Sequence, residues 1–314
     1  MTERALRLGT RKSPMAITQS RQVADMITER TGRPVEIVGV TTLGDVNRAQ
    51  LTQIGGTGVF VGALREALLA GQVDLAVHSL KDLPAAPAAG ILLAAVPPRD
   101  DPRDALIARD GAKFADLPAG ASIGTGSLRR AAQLLALRAD LRCVPIRGNA
   151  GTRLQKVTDG ELDGVVLACA GLARIGSSDV ITQVFEPDEM LPAPGQGALA
   201  VECRDGEPGL AELLAAVNDG ASMAAAVAER SLLQGLAAGC SAPVGGYATG
   251  TEQLRMRAVV LSADGTQALR VQGSVPVADA ARLGSELAAE LLSRGAADLA
   301  SSPQAPLSSG NDVQ

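Results

Sequence analysis

The strongest constraint on the fold is the alternation of strand-like and helix-like segments over the first two-thirds of the 314-residue chain. The apolar run ALRLGT precedes the amphipathic stretch PMAITQSRQVADMITER, and PVEIVGV and VDLAVHS are further runs of strand length. After residue 98 the same alternation returns, with ASIGT, LRCVPI and DGVVLACAG as the predicted strands. This pattern predicts sheets of mostly parallel strands covered by helices.

Composition changes along the chain indicate where its domains begin and end. The Pro- and charge-rich PPRDDPRD, near residue 97, predicts a boundary, and LPAPGQGALAVECR is interpreted as a connector and a strand returning to the first domain. A helix, three strand-like runs and a last helix follow from about residue 219. We therefore predict an N-terminal α/β domain (1–97 with about 197–217), a second α/β domain (98–196), a small C-terminal α+β domain (218–300) and a disordered tail (301–314).

Composition also excludes several classes of function. With three Phe, one Tyr and no Trp, the core has to consist of Ala, Leu and Val, and no aromatic platform for nucleic acid is available. The net charge of −5 argues against binding nucleic acid or a membrane surface through bulk charge. The N-terminus has no apolar signal region, and four widely separated cysteines fit a reducing cytoplasm. Because His78 is the only histidine, a Cys/His zinc site or a Ser-His-Asp triad is not expected.

The first chemical motif is HSLKDLP, which follows directly on a predicted buried strand. Ligands of open α/β sheets bind beyond the carboxyl ends of strands, so Lys81 and Asp82 stand where sites are built. A cation and a carboxylate at adjacent positions could bind an anionic group and handle a proton. An ordinary solvated loop is an equally good interpretation of this motif alone.

The second motif is GTGSLRR, in which small residues separate a predicted strand from a predicted helix. Ser127 is a candidate N-cap, and Arg129 and Arg130 fall in the first turn, where the helix dipole disfavours cations. An anionic partner would offset the unfavourable interaction of these two cations with the helix dipole. The alternative is that both arginines are exposed on a helix that tolerates them.

Arginines recur at other strand ends, and Arg outnumbers Lys 25 to 4 over the chain. Arg147 and Arg153 flank one predicted strand–helix junction, Arg174 follows the next strand, and Arg11 follows the first. Since the guanidinium group matches carboxylates in a bidentate way, the pattern predicts one cleft that binds a small ligand with several carboxylates or phosphates.

A single cysteine, Cys240, lies in the loop GLAAGCSAPVGG without a neighbouring histidine or cysteine. The thiol therefore has no evident activating base, disulfide mate or metal partner. Cys143, Cys169 and Cys203 lie in apolar segments predicted as strands and are expected to be inert core thiols.

Seven blocks together resemble the hydroxymethylbilane synthase (porphobilinogen deaminase) family between residues 4 and about 295. They are RLGTRKSPMAITQ, AVHSLKDLP, DPRDAL, GTGSLRR, RGNAGTRL, LPAPGQGALAVEC and AERSLLQGLAAGCSAPVG, in the order and spacing of that family. The resemblance implies two domains like type II periplasmic binding proteins and a third that bears Cys240. It also implies stepwise deaminating condensation of four porphobilinogen molecules into hydroxymethylbilane, without a metal, by a cytoplasmic and monomeric enzyme.

The resemblance implies roles for individual residues as well. Cys240 would hold a dipyrromethane cofactor through a thioether, and Asp82 would assist the loss of ammonia and stabilise the cationic azafulvene. The implied cofactor contacts are Lys81, Asp82, Thr125, Ser127, Arg129, Arg130, Arg147 and Gly148, and the implied substrate contacts are Arg11, Ser13, Gln19, Arg153 and Arg174. Phe60, after the glycines of QIGGTGVF, is added as a candidate substrate contact that could stack on a flat ligand, although a lone Phe after a glycine loop is more often a core residue.

Four positions depart from the family's usual pattern: Thr57, Gly126, Ala238 and Ala242. Thr57 stands where a basic residue is common, and Gly126 where a serine is frequent. The polar, Gly-rich segment TTLGDVNRAQLTQIGGTG, which contains Thr57, is predicted to be a mobile lid. We expect the four departures to alter the reaction rate or the behaviour of this lid, and not to remove a required group.

Two alternatives remain from the sequence. A non-catalytic bilobal protein that captures a polycarboxylate would share the same architecture. A hydrolase with a cysteine nucleophile would need His78 to reach Cys240 from another domain.

Overall fold

The structure, a computed structural model, describes residues 4–40, 58–237 and 242–301, with the side chains of 58–60 and 301 left out. Its strands are β1 Leu6–Thr10, β2 Val35–Gly39, β3 Leu75–Ser79, β4 Ile91–Ala95, β5 Asp104–Ala108, β6 Ser122–Gly124, β7 Arg142–Val144, β8 Gly164–Ala168, β9 Gln183–Phe185, β10 Leu199–Arg204, β11 Val244–Thr249, β12 Gln253–Leu261 and β13 Ala268–Pro276. Its α-helices are α1 Pro14–Thr31, α2 Gly58–Leu69, α3 Leu128–Leu137, α4 Ala150–Thr158, α5 Cys169–Arg174, α6 Pro208–Ala215, α7 Gly220–Gly235, α8 Ala280–Ser293 and α9 Ala296–Ser301.

Contacts divide the chain into two compact units, each formed from two segments. The first unit is Met1–Asp100 with Ala198–Ala226, and the second is Asp101–Gly197 with Val227–Gln314.

The first unit contains a five-stranded sheet in the order β2-β1-β3-β10-β4. β1 pairs in parallel with β2 and β3, whereas β10 is antiparallel to β3 and β4. One apolar cluster joins this sheet to α1 and α6, and others join it to α2. α1 begins sharply because Ser13 caps its N-terminus and Pro14 occupies its first turn, and it ends at Gly32, whose φ is +71°.

The second unit contains a five-stranded sheet with the same arrangement, in the order β7-β6-β8-β5-β9. β6 is parallel to β7 and β8, and β5 runs antiparallel to β8 and β9. Clusters of Leu, Ile, Val and Ala lie on both faces, and the few aromatics include an edge-to-face pair of Phe114 and Phe185 with ring centroids 5.3 Å apart.

The same unit also holds an antiparallel sheet in the order β11-β12-β13. α8 packs on β12 and β13, and α9 packs on β12. Two α/β sheets followed by this small α+β part confirm the predicted fold class.

Most predicted elements are present, and β10 joins the first sheet as expected. One prediction is wrong: the predicted strand DGVVLACAG ends at Ala168, because its partner β5 begins at Asp104, opposite Ala168, and Cys169 begins α5. The short strands β4 and β5 flank PPRDDPRD and were not predicted. The predicted tail lies outside the described residues beyond Ser301.

Candidate active site

In the first unit, the polar residues predicted from two motifs meet at one edge of the sheet. β1 and β3 are parallel neighbours, so their carboxyl ends lie at the same edge. Arg11 and Ser13 follow β1, whereas β3 ends at Ser79 and continues into a 3₁₀ turn that contains Lys81 and Asp82. This edge is where open α/β sheets bind their ligands.

A cavity of about 220 Å³ lies at this edge. Gln19, buried on α1, donates a hydrogen bond from Nε2 to Oγ of Ser79 (3.1 Å) and so joins α1 to the end of β3. Ser13 is committed to its cap, since its Oγ accepts the N–H of Ala16 (3.3 Å). Lys81 is half-buried in the same turn but does not line the cavity. The polar residues that line it are Arg11, Ser13, Gln19, His78, Ser79 and Asp82.

Beside the cavity lies a buried charged group that the sequence analysis did not identify. Glu202 on β10 accepts two hydrogen bonds from the guanidinium of Arg65 on α2 (2.7 and 3.0 Å), and its Oε2 lies 3.2 Å from Nε2 of His78. Burial raises the pKa of Glu202, but hydrogen bonds from His78 and Arg65 outweigh this effect and hold the pKa at about 2. Glu202 is therefore an anion at neutral pH. The block LPAPGQGALAVEC contains it, and that block could have drawn attention to it.

In the second unit, Thr125 and Ser127 shape the start of α3. Thr125 is buried after β6, and its Oγ1 accepts the N–H of Ser127 (3.2 Å). Ser127 caps α3 as predicted, accepting the N–H of Arg130 (3.4 Å).

Arg129 and Arg130 are buried, with 3% and 6% of their surface exposed, so the exposed-arginine alternative is wrong. Both form ion pairs of 2.8 Å with Asp104 on β5, which is fully buried. Burial raises the pKa of Asp104, but the two arginines outweigh this effect and hold the pKa well below its ordinary value. The anionic partner expected from the helix dipole is therefore a residue of the chain itself, within the block DPRDAL. Two cations against one anion leave an excess positive charge.

Gln196 connects this charged cluster to the connector before β10. Its side-chain N–H groups bond to the carbonyl of Pro102 (2.7 Å) and to Asp104 (2.9 Å), and its carbonyl oxygen accepts from Arg130 (3.3 Å). Sequence reasoning did not single out Gln196, although it lies in the recognised block around PGQG.

The other predicted arginines of this unit follow β7 and β8: Arg147 precedes α4, Arg153 lies in α4, and Arg174 is the last residue of α5. Arg147 is exposed, and neighbouring Gly148 has a φ of +113°, in the region that favours glycine. Its carbonyl accepts a hydrogen bond from Nε of Arg153 (2.9 Å), and burial followed by repulsion from Arg130 lowers the pKa of Arg153. Arg174 is half-buried and donates to the carbonyl of Gly197 (2.8 Å).

Several predicted positions lie outside the described part of the chain. Cys240, Ala238 and Thr57 are not described, and of Phe60 only the backbone, within α2, is described. Ala242 is half-buried, and its carbonyl accepts the N–H of Val244 (2.8 Å).

Burial makes the thiols of the three described cysteines unreactive. Cys143, Cys169 and Cys203 are free and buried. Burial raises the pKa of Cys143 to about 11 and that of Cys169 to about 12, and it raises that of Cys203 as well.

The described residues contain neither a metal-binding cluster nor a straight membrane-spanning helix. No group of three or more His, Cys, Asp or Glu side chains in these ranges could hold a metal ion. No single described helix is both long and apolar enough to span a membrane; α6 and α7 together reach that length and composition but are bent by 113°.

Comparison with protein-family models gives two matches. Residues 6–212 match "Porphobilinogen deaminase, dipyromethane cofactor binding domain", and residues 223–293 match "Porphobilinogen deaminase, C-terminal domain". Among curated proteins, porphobilinogen deaminase of Thermobifida fusca is 59% identical, over 94% of this chain and 96% of that protein. Porphobilinogen deaminase 1 of Streptomyces coelicolor is 53% identical (95% and 98% covered), and the Mycobacterium tuberculosis protein is 48% identical (94% and 98%).

Solved structures that match this chain include periplasmic binding proteins. A substrate-binding protein of an ABC transporter from Coxiella burnetii matches with a TM-score of 0.42 and 17% identity, over 71% of this chain and 96% of that one. An arginine-specific binding protein of Salmonella typhimurium matches with a TM-score of 0.39 and 14% identity, over 68% and 92%.

Proposed function

The chain belongs to the porphobilinogen deaminase family, and from this premise we propose which of its residues carry out the reaction. It is a transferase that condenses four porphobilinogen molecules stepwise into the linear tetrapyrrole hydroxymethylbilane, with release of ammonia. Synthesis starts from a dipyrromethane cofactor. The binding-protein alternative is set aside, because the nearly full-length relatives are named for the enzyme.

Asp82 is the proposed catalytic residue. Each condensation breaks the bond between the aminomethyl carbon of the substrate and its nitrogen, and positive charge develops on the substrate pyrrole. A carboxylate beside the pyrrole stabilises that charge and accepts a hydrogen bond from the pyrrole N–H. The observation that supports this role most directly is the placement of Asp82 in one cavity with Arg11, Ser13 and Gln19.

Substrate carboxylates are the proposed ligands of Arg11, Ser13, Gln19, Arg153 and Arg174. An arginine binds a carboxylate in a bidentate, charge-assisted way, and it keeps its charge over the working pH range. The half-buried Arg11 lines the same cavity as Asp82, so it is proposed to fix the orientation of the substrate relative to that carboxylate. Phe60 is retained as a proposed substrate contact.

The dipyrromethane, attached through a thioether to Cys240, supplies the pyrrole to which the first substrate is joined. Its carboxylates need cations, and the second unit offers an excess, because one Asp104 faces both Arg129 and Arg130. Burial, followed by repulsion from Arg130, lowers the pKa of Arg153. The residues present therefore fit this group. The proposed cofactor contacts are Lys81, Asp82, Thr125, Ser127, Arg129, Arg130, Arg147 and Gly148.

Cys240 is proposed as an attachment point and not as a turnover nucleophile. The three described thiols are buried with raised pKa values, which supports assigning the attachment to the fourth. The division into three domains, with Cys240 in the last, is likewise a proposal, and membership of the family supports it.

Intact-mass measurement tests the attachment. The native protein should be heavier than its sequence by two linked pyrrole units, and Cys240→Ser should lack this adduct. Cys143→Ser, which removes a buried thiol, should retain it. Active protein of unmodified mass, or an adduct that survives in Cys240→Ser, contradicts the assignment.

We further propose that the protein works as a cytoplasmic monomer without nucleic-acid or membrane partners. The net charge of −5 and the free thiols of the described cysteines support this environment. Sedimentation equilibrium should give a mass near 31.8 kDa, and a mass of twice that value would refute the monomer.

A further inference from the structure

The C-terminal sheet leaves part of one face uncovered. Because side chains alternate along a strand, Leu254, Met256 and Ala258 of β12 point to the buried face, which α8 covers. On the opposite face, Val259 and Leu261 pack against Ala132 and Leu191. Toward the start of β12 this opposite face is open.

The open part presents two cross-strand rows with an arginine at the centre of each. Residues paired across antiparallel strands lie on the same face, about 5 Å apart. Arg257 is paired with Tyr247 on β11 and Gln272 on β13. Arg255 is paired with Thr249 on β11 and Ser274 on β13.

These two rows line a groove of about 570 Å³. We call it the tyrosine–arginine groove, defined by Tyr247, Thr249, Arg255, Arg257, Gln272 and Ser274. Among the described residues, its lining has two guanidinium groups, three hydroxyls and an amide but no carboxylate. This composition differs from the chain as a whole, whose net charge is −5.

The two arginines are available to a ligand. Arg255 is exposed, and within the described ranges it makes no hydrogen bond or ion pair with another residue. Arg257 pairs with Asp188, but that carboxylate is 84% exposed, and ion pairs in contact with water are weak. A ligand carboxylate can therefore replace Asp188 at little cost.

The tyrosine adds a flat surface to the groove. Tyr247 is the only tyrosine of a chain with 1% aromatic residues, and it packs against the cluster of Val259, Leu261, Ala132 and Leu191. Its ring is therefore held in place without being wholly buried. A fixed aromatic ring favours stacking with a flat, conjugated ligand.

We propose that the tyrosine–arginine groove is a second binding site, for a carboxylated pyrrole. The two arginines and the hydroxyls bind the carboxylates, and Tyr247 contacts the ring. The choice of a pyrrole among polycarboxylates rests on the proposed function, whose substrate and product have this chemistry. None of the groove residues has a proposed role in catalysis.

Fluorescence titration of uroporphyrin, a stable octacarboxylated tetrapyrrole, with the holoenzyme tests the proposal. Arg255→Ala should weaken binding roughly tenfold or more, because a charge-assisted hydrogen bond is lost. Arg142→Ala removes the same charge from an exposed position on β7 and should change the dissociation constant less than twofold. Porphobilinogen turnover without the probe should be the same in both variants as in the wild type.

Three outcomes overturn the proposal: no binding by the wild type, equal binding by Arg255→Ala and the wild type, or equal weakening in Arg255→Ala and Arg142→Ala. Inorganic phosphate at the probe's concentration should not displace it, and displacement would overturn the assignment to a carboxylated pyrrole. The titration does not require turnover, so an inactive wild-type protein would contradict the proposed function alone.

Discussion

At the scale of single residues, the charges with the strongest constraints lie inside the protein. Arg129, Arg130 and Asp104 form a buried cluster in which removal of Asp104 would leave two buried cations without their anion. Arg147, by contrast, is exposed and has no hydrogen bond or ion pair with any described residue. Similar-looking arginines in the sequence therefore differ in how much the fold depends on them.

Replacement of Asp82 by Asn should leave the fold and the bound cofactor intact but lower turnover at least a hundredfold. The amide keeps the shape of the side chain and cannot stabilise a developing cation, an effect worth about 10²-fold or more in rate. Conversion of porphobilinogen, together with the intact mass, measures both properties. Asp116→Asn, at an exposed position of the second unit, is the control and should remain active. Retention of most activity in Asp82→Asn would refute its role.

Gly126→Ser, which restores the family's frequent residue, should destabilise this chain. A Cβ atom at Gly126 would lie 2.7 Å from the carbonyl oxygen of Ile146, so the backbone has to move. We expect a loss of about 1–3 kcal/mol, typical of overpacking. Urea unfolding followed by circular dichroism measures it. Gly171→Ser, where a Cβ meets nothing within 4 Å, is the control. Equal midpoints for Gly126→Ser and the wild type would show that the loop accommodates the serine.

At the scale of elements, one buried carboxylate joins three of them in the first unit. Glu202 belongs to β10, Arg65 to α2 and His78 to β3, the strand that leads into Asp82. An ion-pair network, as well as strand pairing, therefore holds the strand that leads into the turn with Asp82.

The free energy of unfolding should decrease as the pH is lowered, because Glu202 becomes protonated. Its pKa is lowered from about 4.5 to about 2, so its contribution is complete above pH 4.5 and lost as the pH falls to 2. The contribution amounts to about 3 kcal/mol. In Glu202→Gln, the free energy of unfolding should rise less between pH 2 and pH 4.5 than in the wild type. Glu212→Gln, at an exposed glutamate, should keep the wild-type slope, and an unchanged slope in Glu202→Gln would contradict the assignment.

At the scale of the whole molecule, the proposed functional residues are distributed over both units. Asp82, Arg11, Ser13 and Gln19 belong to the first unit, and the arginines that follow β6, β7 and β8 belong to the second. Neither unit alone holds the complete proposed set, so variants in both should affect turnover.

Arg147→Ala, which removes a proposed cofactor contact, should lower the turnover of porphobilinogen about tenfold without loss of stability. The loss corresponds to one charge-assisted hydrogen bond, and the exposed side chain contributes little to folding. Steady-state kinetics and thermal unfolding measure the two effects. Arg142→Ala, at the exposed first residue of β7, should match the wild type in both. Wild-type kinetics in Arg147→Ala would remove it from the proposed contacts.

The sequence by itself determined the fold class, the order of most elements and the family. The alternation of strand-like and helix-like apolar segments specifies the local structure directly, and seven sequence blocks in the order of the family identify that family. The sequence also indicated Asp82 and Ser127, because a strand end and an N-cap are local features.

Only the tertiary structure decided which charges pair. Asp104 lies 25 residues from Arg129, and Glu202 lies 137 residues from Arg65, so no local pattern links them. The open end of the C-terminal sheet likewise depends on which side chains α3 happens to cover. Pairing and burial are long-range properties, set by the packing of elements that are distant in sequence.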